Sequence, residues 1–262
     1  MSWVVGSELA RGATAVITRG EPGTVVKALT RELPAIAMAL EAAGSRAAMA
    51  AGLPVPALIE AALDDDPPTL TFEFVEGTEL AKLYGELGAG VIGRTLAELQ
   101  HRVRQVVSPE VIPIEEFLGY QLGQGQIPED LRAAVRRDLA RLTKNCERVL
   151  CHMDLHDANV MWSNGPHVID GPVIIDWMNA QAGPPEADVA RTRLVVGNER
   201  FYSPDEEESL ALALDAFVRR TEQLVPGLVG ASRAWDRVLH AARLHEGVPE
   251  AEREYILARF AR

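Results

Sequence analysis

Residues 150–162, LCHMDLHDANVMW, are the most informative stretch of the sequence because they crowd functional side chains into one short segment. Within eight positions they place His152, Asp154, His156, Asp157 and Asn159. Residues 173–177, VIIDW, follow further along the chain and end an apolar strand on Asp176. An aspartate and an asparagine on one loop can point at one spot, and an aspartate leaving a neighbouring strand can join them. The two stretches therefore predict a single polar site.

The oxygen-bearing members of this set suit a magnesium ion and a phosphate group. One carboxylate, one amide oxygen and the oxygens of a phosphate form the hard ligand set that Mg²⁺ prefers, with part of its shell left for substrate. The remaining aspartate can accept the proton of a hydroxyl group, and this combination is typical of phosphoryl transfer.

Two other interpretations of the same stretch stay open at this point. Alternate residues of a strand share one face, so His152, Asp154 and His156 could together bind Zn²⁺. No HExxH or CxxC motif lies near them, and the other four histidines of the sequence stand alone. In the plainest interpretation, a histidine–aspartate pair only stabilises a loop.

The sequence before this site predicts a small β-rich unit. Short runs of β-branched residues separated by turns such as Glu21-Pro22-Gly23 are typical of strands, and an alanine-rich run that ends at Gly52 predicts one helix. The predicted strands cover residues 13–18, 24–29, 57–62 and 69–75, and the predicted helix covers residues 33–51.

After Gly77 the apolar residues adopt helical spacing, as in Leu96, Leu99 and Val103. The predicted elements are helices over 93–103 and 128–149, short strands over 159–162 and 173–175, and further helices through the last seventy residues. The sequence thus predicts an α+β chain. Its small β-rich lobe with one helix covers residues 1–75, and its larger, mainly helical lobe covers residues 76–262.

The two polar motifs resemble those of the aminoglycoside phosphotransferase / choline kinase superfamily of protein-kinase-like enzymes. That family shows H-G-D-x-H-x-x-N and then a short strand that ends in I-D, as in HMDLHDAN and VIIDW here. GPPEADVART, residues 183–192, also resembles the family, in which an aspartate such as Asp188 begins a helix. The resemblance covers most of the chain except its last sixty or so residues. It implies a two-lobed protein-kinase-like fold, Mg²⁺, and ATP or GTP as co-substrate.

The resemblance also implies roles for individual residues of the larger lobe. Asp154 matches the catalytic aspartate that accepts the proton of the substrate hydroxyl, while Asn159 and Asp176 match the two Mg²⁺ ligands. His152 matches a structural, hydrogen-bonding histidine of the loop. Met153 stands where the family has glycine.

In the smaller lobe, the resemblance implies a lysine that binds phosphate and a glutamate that holds it. Lys27 lies on the second predicted strand, and Glu41 lies on the following helix, where the partner of the lysine is expected. Glu32 is the nearby competitor for that role. The ion pair would hold the lysine over the α- and β-phosphates of the nucleotide.

Two further segments are expected to contact the nucleotide. Residues 72–77, FEFVEG, match the interlobe hinge, where the carbonyl of Glu73 and the amide of Val75 would face the purine. The sequence lacks GxGxxG, so ELARGATAV, with Gly12 and Thr14 at its tip, is the candidate phosphate loop.

The phosphate acceptor is expected to be a small hydroxyl-bearing molecule. The segment between Asp176 and Asp188 is too short for the peptide platform of a protein kinase, and no A-P-E sequence follows. An aminoglycoside or another antibiotic, or a metabolite such as a sugar, amino alcohol or nucleoside, fits this expectation. A cationic acceptor would suit the acidic run at 203–208, although Ser203 and Glu206 also form the pattern of a helix capping box. A non-catalytic, nucleotide-binding pseudokinase is the competing hypothesis.

Composition limits the other partners of the protein. The chain has 262 residues, a formal net charge of −12 and a pI near 5.0. Such an acidic chain is a poor general ligand for nucleic acids and for anionic membranes. Two cysteines do not make a disulfide framework, and the N-terminus lacks the basic start and apolar core of a signal peptide. We therefore expect a cytoplasmic protein with no nucleic-acid or membrane partner.

Overall fold

The first part of the chain folds into a five-stranded antiparallel sheet covered by one helix. The computed structural model describes residues 4–12, 14–29, 36–107, 109–124, 127–163 and 171–260. The strands are β1 (Glu8–Arg11), β2 (Ala15–Arg19), β3 (Thr24–Leu29), β4 (Leu58–Ala62) and β5 (Thr69–Glu73), and the sheet order is β1-β2-β3-β5-β4. The helix is α1 (Ile36–Ala50).

Helix α1 packs on the sheet through side chains one turn apart. Met38 and Ala42 are fully buried, and they form a core cluster with Leu70 and Phe72 of β5. This i, i+4 spacing is what brings two side chains onto one helical face. The helix ends before Gly52, whose φ of +67° lies in the left-handed region that terminates many helices.

After β5 the chain leaves the five-stranded sheet and enters a second sheet. Strand β6 (Gly77–Glu79) pairs with β8 (Val160–Ser163) of a second, three-stranded sheet, which β9 (Gly171–Ile174) completes. A Cβ atom on Gly77 would lie 2.3 Å from the carbonyl oxygen of Trp162, so only glycine fits at this crossing. The change of sheet falls between residues 73 and 77, and the exact division of the chain at residue 75 stays a prediction.

The rest of the chain is mainly helical. Its remaining elements are α2 (Tyr84–Leu87), α3 (Ala89–Val103), α4 (Ile114–Gly123), α5 (Glu129–Thr143), β7 (Val149–Cys151), β10 (Gln181–Gly183), α6 (Pro185–Asn198), α7 (Glu207–Leu224), α8 (Leu228–Ser232), α9 (Asp236–Arg243) and α10 (Glu250–Phe260). A small β-rich unit with one helix, followed by a larger helical unit, confirms the predicted α+β fold. Within the described ranges, no helix is both long and apolar enough to cross a membrane.

Two local predictions are wrong. The helix predicted over 128–149 ends at Thr143, and Val149 instead begins β7, which pairs with β10 through residues far away in the sequence. The capping box at Ser203 and Glu206 is not formed, because Ser203 makes no side-chain cap hydrogen bond. A short 3₁₀ turn over Pro204–Glu206 separates Ser203 from the start of α7 instead.

Candidate active site

Residues 152–159, here called the Asp154 loop, run from the end of β7 to the start of β8. Each end of the loop is anchored in a different sheet, since β7 pairs with β10 and β8 lies between β6 and β9. The strands are short and mostly buried. The loop is therefore fixed by partners that come from distant parts of the sequence.

His152 stabilises the loop from within. The residue is fully buried, its Nε2 lies 3.1 Å from the carbonyl oxygen of Ile175, and its Nδ1 accepts a hydrogen bond from the amide of Asp154. Burial lowers the pKa of His152, so the ring is neutral. Both ring nitrogens are occupied, so His152 cannot serve as the ligand that the zinc interpretation requires. Across the described ranges, no three His, Cys, Asp or Glu side chains are arranged to hold a metal ion.

Met153 adopts a left-handed backbone with a φ of +59°, which explains why glycine suits this position. Its amide donates to Oδ1 of Asp188 over 2.7 Å, and its carbonyl oxygen accepts from Nε of Arg191 over 2.9 Å. Both partners lie on α6. The helix thus holds the turn from both sides, and the buried Met153 side chain joins the core.

Asp154 carries a partly exposed carboxylate beside a buried arginine. Its Oδ1 lies 3.2 Å from Nη2 of Arg191. Burial alone would raise the pKa of Asp154, but the positive charges of Arg191 and His156 outweigh it and lower the pKa below its usual range. Asp154 is therefore anionic at neutral pH and available as a proton acceptor.

Asn159 closes the Asp154 loop. Its Nδ2 donates to the backbone oxygen of Asp154 over 2.9 Å, so its amide oxygen is the atom that could bind a metal. The amide of Ile175 donates to the backbone oxygen of Asn159 over 3.0 Å. This bond brings Asp176, the next residue, close to the loop.

Lys27 forms ion pairs with both Glu41 and Asp176 in a partly buried cluster. Nζ of Lys27 lies 2.7 Å from Oε1 of Glu41 and 3.1 Å from Oδ1 of Asp176. Burial would lower the pKa of Lys27, but the two carboxylates outweigh it and raise the pKa. Burial raises the pKa of Glu41, and Lys27 opposes this rise. The structure thus brings Glu41 to Lys27, while the competitor Glu32 lies outside the described residues.

Asp176 lies two residues after the end of β9 and adopts a left-handed backbone with a φ of +63°. Its side chain keeps 35% of its surface exposed, whereas that of Lys27 keeps 8%. The lysine is consequently enclosed between the two units, and the Asp176 carboxylate faces more open space.

The residues predicted to contact the nucleotide lie on the β-rich unit. Gly12 and Thr14 belong to the turn between β1 and β2, which the amide of Gly12 closes by donating to the oxygen of Ala15. Glu73 is the last residue of β5, and the buried Val75 follows in the segment that leads to β6. The roles of these four residues in nucleotide binding stay predictions.

Sequence reasoning missed Arg191. Arg191 is 5% exposed and places Nη1 and Nη2 each 2.9 Å from a carboxylate oxygen of Glu246. Glu246 also binds Arg243, whose Nε lies 3.0 Å from Oε1 of the fully buried Glu252 on α10. One signal was present in the sequence: Arg191 stands three residues after Asp188 on a helix with few other charges, so the two share a face.

A cavity opens beside Met153 and Arg191. It is small, with a free volume of about 10 Å³, which is room for about one water molecule, and it lies between α4, α9 and the segment that leads into β10. The residues around it are Phe117, Leu118, Gln121, Met153, Asn179, Gln181, Arg191, Leu239, Ala242 and Glu246. Because Arg191 also contacts Asp154, the cavity lies next to the candidate catalytic carboxylate.

The chain is similar to known phosphotransferases in its sequence profile and in its fold. The sequence profile of the phosphotransferase enzyme family matches residues 7–240. An aminoglycoside-3'-phosphotransferase of type VIII has a similar structure, with a TM-score of 0.64 and 20% identity over 92% of this chain and 93% of that one. No curated protein sequence matches the chain at a significant level.

Two further solved structures show the same architecture. The choline kinase LicA from Streptococcus pneumoniae has a TM-score of 0.60 and 16% identity, with 98% of this chain and 94% of that chain covered. The streptomycin–ATP complex of APH(2")-IIa has a TM-score of 0.57 and 13% identity, with 97% and 89% covered. These similarities confirm the two-lobed, kinase-like fold, and the profile match over residues 7–240 confirms the family.

Proposed function

Because the chain belongs to the phosphotransferase enzyme family, we propose that it transfers the terminal phosphoryl group of ATP or GTP to a hydroxyl group of a small molecule. One observation carries this proposal. Lys27, Glu41 and Asp176 form one ion cluster, and hydrogen bonds through Ile175 connect it to the loop that carries Asp154 and Asn159. Phosphoryl transfer requires a cation for the phosphates, metal ligands and a proton acceptor at one place.

The donor set fits magnesium. Asn159 and Asp176 would hold the ion through an amide and a carboxylate oxygen, which are the hard ligands that Mg²⁺ prefers. When bound, the ion would neutralise negative charge on the phosphate oxygens. The exposed part of the Asp176 side chain leaves room for such contacts.

The residues of the chain supply the remaining chemistry. The Asp154 carboxylate orients the acceptor hydroxyl and accepts its proton as the new oxygen–phosphorus bond forms and the bond to the departing nucleoside diphosphate breaks. Lys27 binds the α- and β-phosphates, and Glu41 keeps its side chain in place. Gly12 and Thr14 would contact phosphate through the β1–β2 turn, and Glu73 and Val75 would bind the purine.

An aminoglycoside or another antibiotic remains a candidate acceptor, as does a sugar, an amino alcohol or a nucleoside. The pseudokinase hypothesis is less favoured, because Lys27, Asp154, Asn159 and Asp176 are all present. A true pseudokinase would bind nucleotide without acceptor-dependent turnover, so the two hypotheses differ in a measurable way.

The substitution Asp154→Asn tests the proposal directly. It keeps the size of the side chain but removes its capacity to take up a proton, so phosphoryl transfer should fall by roughly 10²- to 10⁴-fold. Binding of Mg-ATP should stay near normal, as Asp154 is not a proposed metal ligand. The measurements are nucleotide consumption with acceptor panels, detection of the phosphorylated product, and calorimetry of Mg-ATP binding.

The exposed Asp205 offers a matched control, since Asp205→Asn makes the same chemical change away from the site. The proposal fails if Asp154→Asn transfers phosphate at the wild-type rate. It also fails if the wild-type protein binds Mg-ATP but never turns it over.

A further inference from the structure

Helix α1 is buried on two neighbouring faces, one against each unit of the protein. Met38 and Ala42 form a core cluster with residues of β5 in the β-rich unit. Glu41, Gly44 and Ala48 are also buried, and their i, i+3, i+7 spacing places them together on another face of the helix. Ala48 joins the core cluster that α3, α6 and α7 build in the helical unit. The helix therefore packs between the two units.

Gly44 lies where α1 approaches the turn that follows Asp176. A Cβ atom on this glycine would lie 2.6 Å from Cβ of Ala180, 2.8 Å from the carbonyl oxygen of Trp177 and 3.1 Å from Cβ of Trp177. Carbon atoms that are not bonded to each other pack at about 3.5–4.0 Å, so a methyl group has no room here. Gly44 has helical backbone. The close approach of the two units is thus what requires glycine at this position.

The turn that faces Gly44 is firmly held in the helical unit. The amide of Ala180 donates to the carbonyl oxygen of Trp177 over 3.0 Å, and each of these residues is 1% exposed. The ring of Trp177 packs against the ring of His152 in the Asp154 loop, with 4.6 Å between the ring centroids. A close-packed turn of this kind transmits strain rather than absorbing it. Added bulk at Gly44 would therefore push α1, together with the sheet on which it packs, away from the helical unit.

The separation of the two units at Gly44 determines the contacts of Lys27. Glu41 precedes Gly44 by about one helical turn, and Asp176 directly precedes Trp177. Nζ of Lys27 lies 2.7 Å from Oε1 of Glu41 and 3.1 Å from Oδ1 of Asp176. The pair with Glu41 lies within the β-rich unit and would move as one body. The pair with Asp176 joins the two units, so it would lengthen.

We propose that Gly44 is a positioning residue: its lack of a side chain sets the distance between the two units, and with it the distance between Lys27 and Asp176. This role rests on the phosphotransferase function proposed above. In that function, Lys27 binds the phosphates from one unit, and Asp176 is a magnesium ligand on the other. A displacement of about 1 Å in such a site can lower the rate by about 100-fold.

The substitution Gly44→Ala tests this role by adding one methyl group. We expect it to weaken binding of Mg-ATP by about tenfold, the scale of one charged contact. We also expect kcat with the best acceptor of the panel to fall by about 100-fold. Calorimetry and product formation measure the two values, and circular dichroism shows that the variant is folded.

Gly230→Ala is the matched control. Gly230 lies within α8, and a Cβ atom there would meet no other atom within 4 Å. Alanine has a higher helix propensity than glycine at both positions, so the two variants differ in the contact with the helical unit. Gly230→Ala should match the wild-type protein in Mg-ATP affinity and in kcat.

A second substitution separates positioning from a general loss of stability. Ala180→Gly removes the atom nearest to the added methyl group, so the double variant with Gly44→Ala should recover part of the lost affinity and kcat. A merely structural defect would become worse instead, because Ala180→Gly also removes a buried methyl group. A double variant that is no better than Gly44→Ala alone overturns the positioning role.

Ala180→Val keeps the test valid if Gly44→Ala does not fold. It adds bulk to the same contact from the helical unit and leaves α1 unchanged, so it should weaken Mg-ATP binding and lower kcat in the same way. Wild-type values in a folded Gly44→Ala or Ala180→Val variant would show that the contact does not set the geometry of the site.

The positioning role and the proposed function fail in different ways. If the wild-type protein turns over Mg-ATP and Gly44→Ala equals it in affinity and kcat, Gly44 has no positioning role and the function stands. If the wild-type protein binds Mg-ATP but never turns it over, the function is wrong, and the affinity of Gly44→Ala for Mg-ATP alone decides the positioning role. If the wild-type protein does not bind Mg-ATP, both are wrong.

Discussion

Arg191 connects the Asp154 carboxylate to the C-terminal part of the chain. Its guanidinium group contacts Asp154, the Met153 carbonyl oxygen and Glu246, and it is almost completely buried. An arginine suits this position because its rigid, forked donor group can bind several acceptors at once. Arg191 therefore acts as a positioning residue that holds the proposed proton acceptor.

Replacing Arg191 should impair catalysis more than nucleotide binding. Arg191→Ala removes the ion-pair partner of Asp154 and leaves Glu246 with Arg243, so kcat should fall by about 10²-fold, the expected effect of a small misplacement. The pKa of Asp154 should rise because the arginine no longer lowers it, and the acid limb of the kcat/KM profile should move to higher pH. The measurements are kcat, KM for ATP and the pH profile.

Arg193, on the same helix, provides the control for this prediction. Its Nη1 pairs with Asp236 over 3.0 Å at a partly exposed position, so Arg193→Ala should leave the pH profile unchanged. Equal profiles for Arg191→Ala and the wild-type enzyme would show that Arg191 only stabilises the fold.

Asp188 should make stability depend on pH. Burial raises the pKa of Asp188 to about 6, although the amide of Met153 donates to its Oδ1 and opposes the rise. A carboxyl group whose pKa is higher in the folded than in the unfolded protein gives its full stabilisation at pH values below its unfolded pKa. That stabilisation is lost as the pH rises through its folded pKa.

The variant Asp188→Asn lacks this titration. Between about pH 4 and pH 7, the free energy of unfolding of the wild-type protein should therefore fall by about 2 kcal/mol relative to the variant. Urea unfolding at several pH values measures the difference, and the exposed Asp215 supplies a control in Asp215→Asn. A difference between wild type and Asp188→Asn that does not change with pH would contradict the raised pKa.

At the scale of elements, Glu252 connects α10 to the ion pairs around Arg191. Glu252 is fully buried and accepts hydrogen bonds from Arg243, Asn198 and Tyr202. Arg243 in turn binds Glu246, the partner of Arg191. The last helix of the chain thus supports the Asp154 loop, although it lies in the part of the sequence with the weakest family resemblance.

The elements that were predicted from the sequence and the elements that were missed are stabilised in different ways. Strand β3 and helix α3 show a regular pattern of apolar residues, and β3 lies where it was predicted. Strands β7 and β10 have three residues each, which is too short for any periodic pattern, and each is stabilised by pairing with the other. Such strands depend on contacts between distant segments, which a local pattern does not record.

The same reasoning applies to the candidate site. Lys27 and Glu41 were predicted to meet because the family resemblance implies a lysine on the second strand and its glutamate partner on the following helix. The second partner of Lys27, Asp176, could be assigned as a metal ligand by resemblance, but its contact with the lysine depends on how the two units pack. The network of Arg191, Glu246 and Glu252 joins three separated segments, so it becomes visible only in the folded chain.

At the scale of the whole molecule, the ion pair of Lys27 and Asp176 links the β-rich unit to the helical unit. Both residues are also proposed to contact the nucleotide, one through phosphate and the other through magnesium. A bound Mg-nucleotide would therefore contact both units and stabilise the folded protein, since a ligand that binds only the folded state raises the free energy of unfolding.

Replacing Asp176 should remove the magnesium-dependent part of this stabilisation. For the wild-type protein, Mg-ATP at 100 times its dissociation constant should raise the free energy of unfolding by about 2.7 kcal/mol. Asp176→Ala should still fold, because Lys27 keeps Glu41 as a partner at 2.7 Å. In that variant, ATP should give the same small stabilisation with or without Mg²⁺.

Thermal unfolding with ATP, with and without Mg²⁺, measures the effect, and Asp64→Ala in an exposed loop is the control. If Mg-ATP stabilised Asp176→Ala as strongly as the wild-type protein, Asp176 could not be a metal ligand, and the metal site would have to be built from other residues.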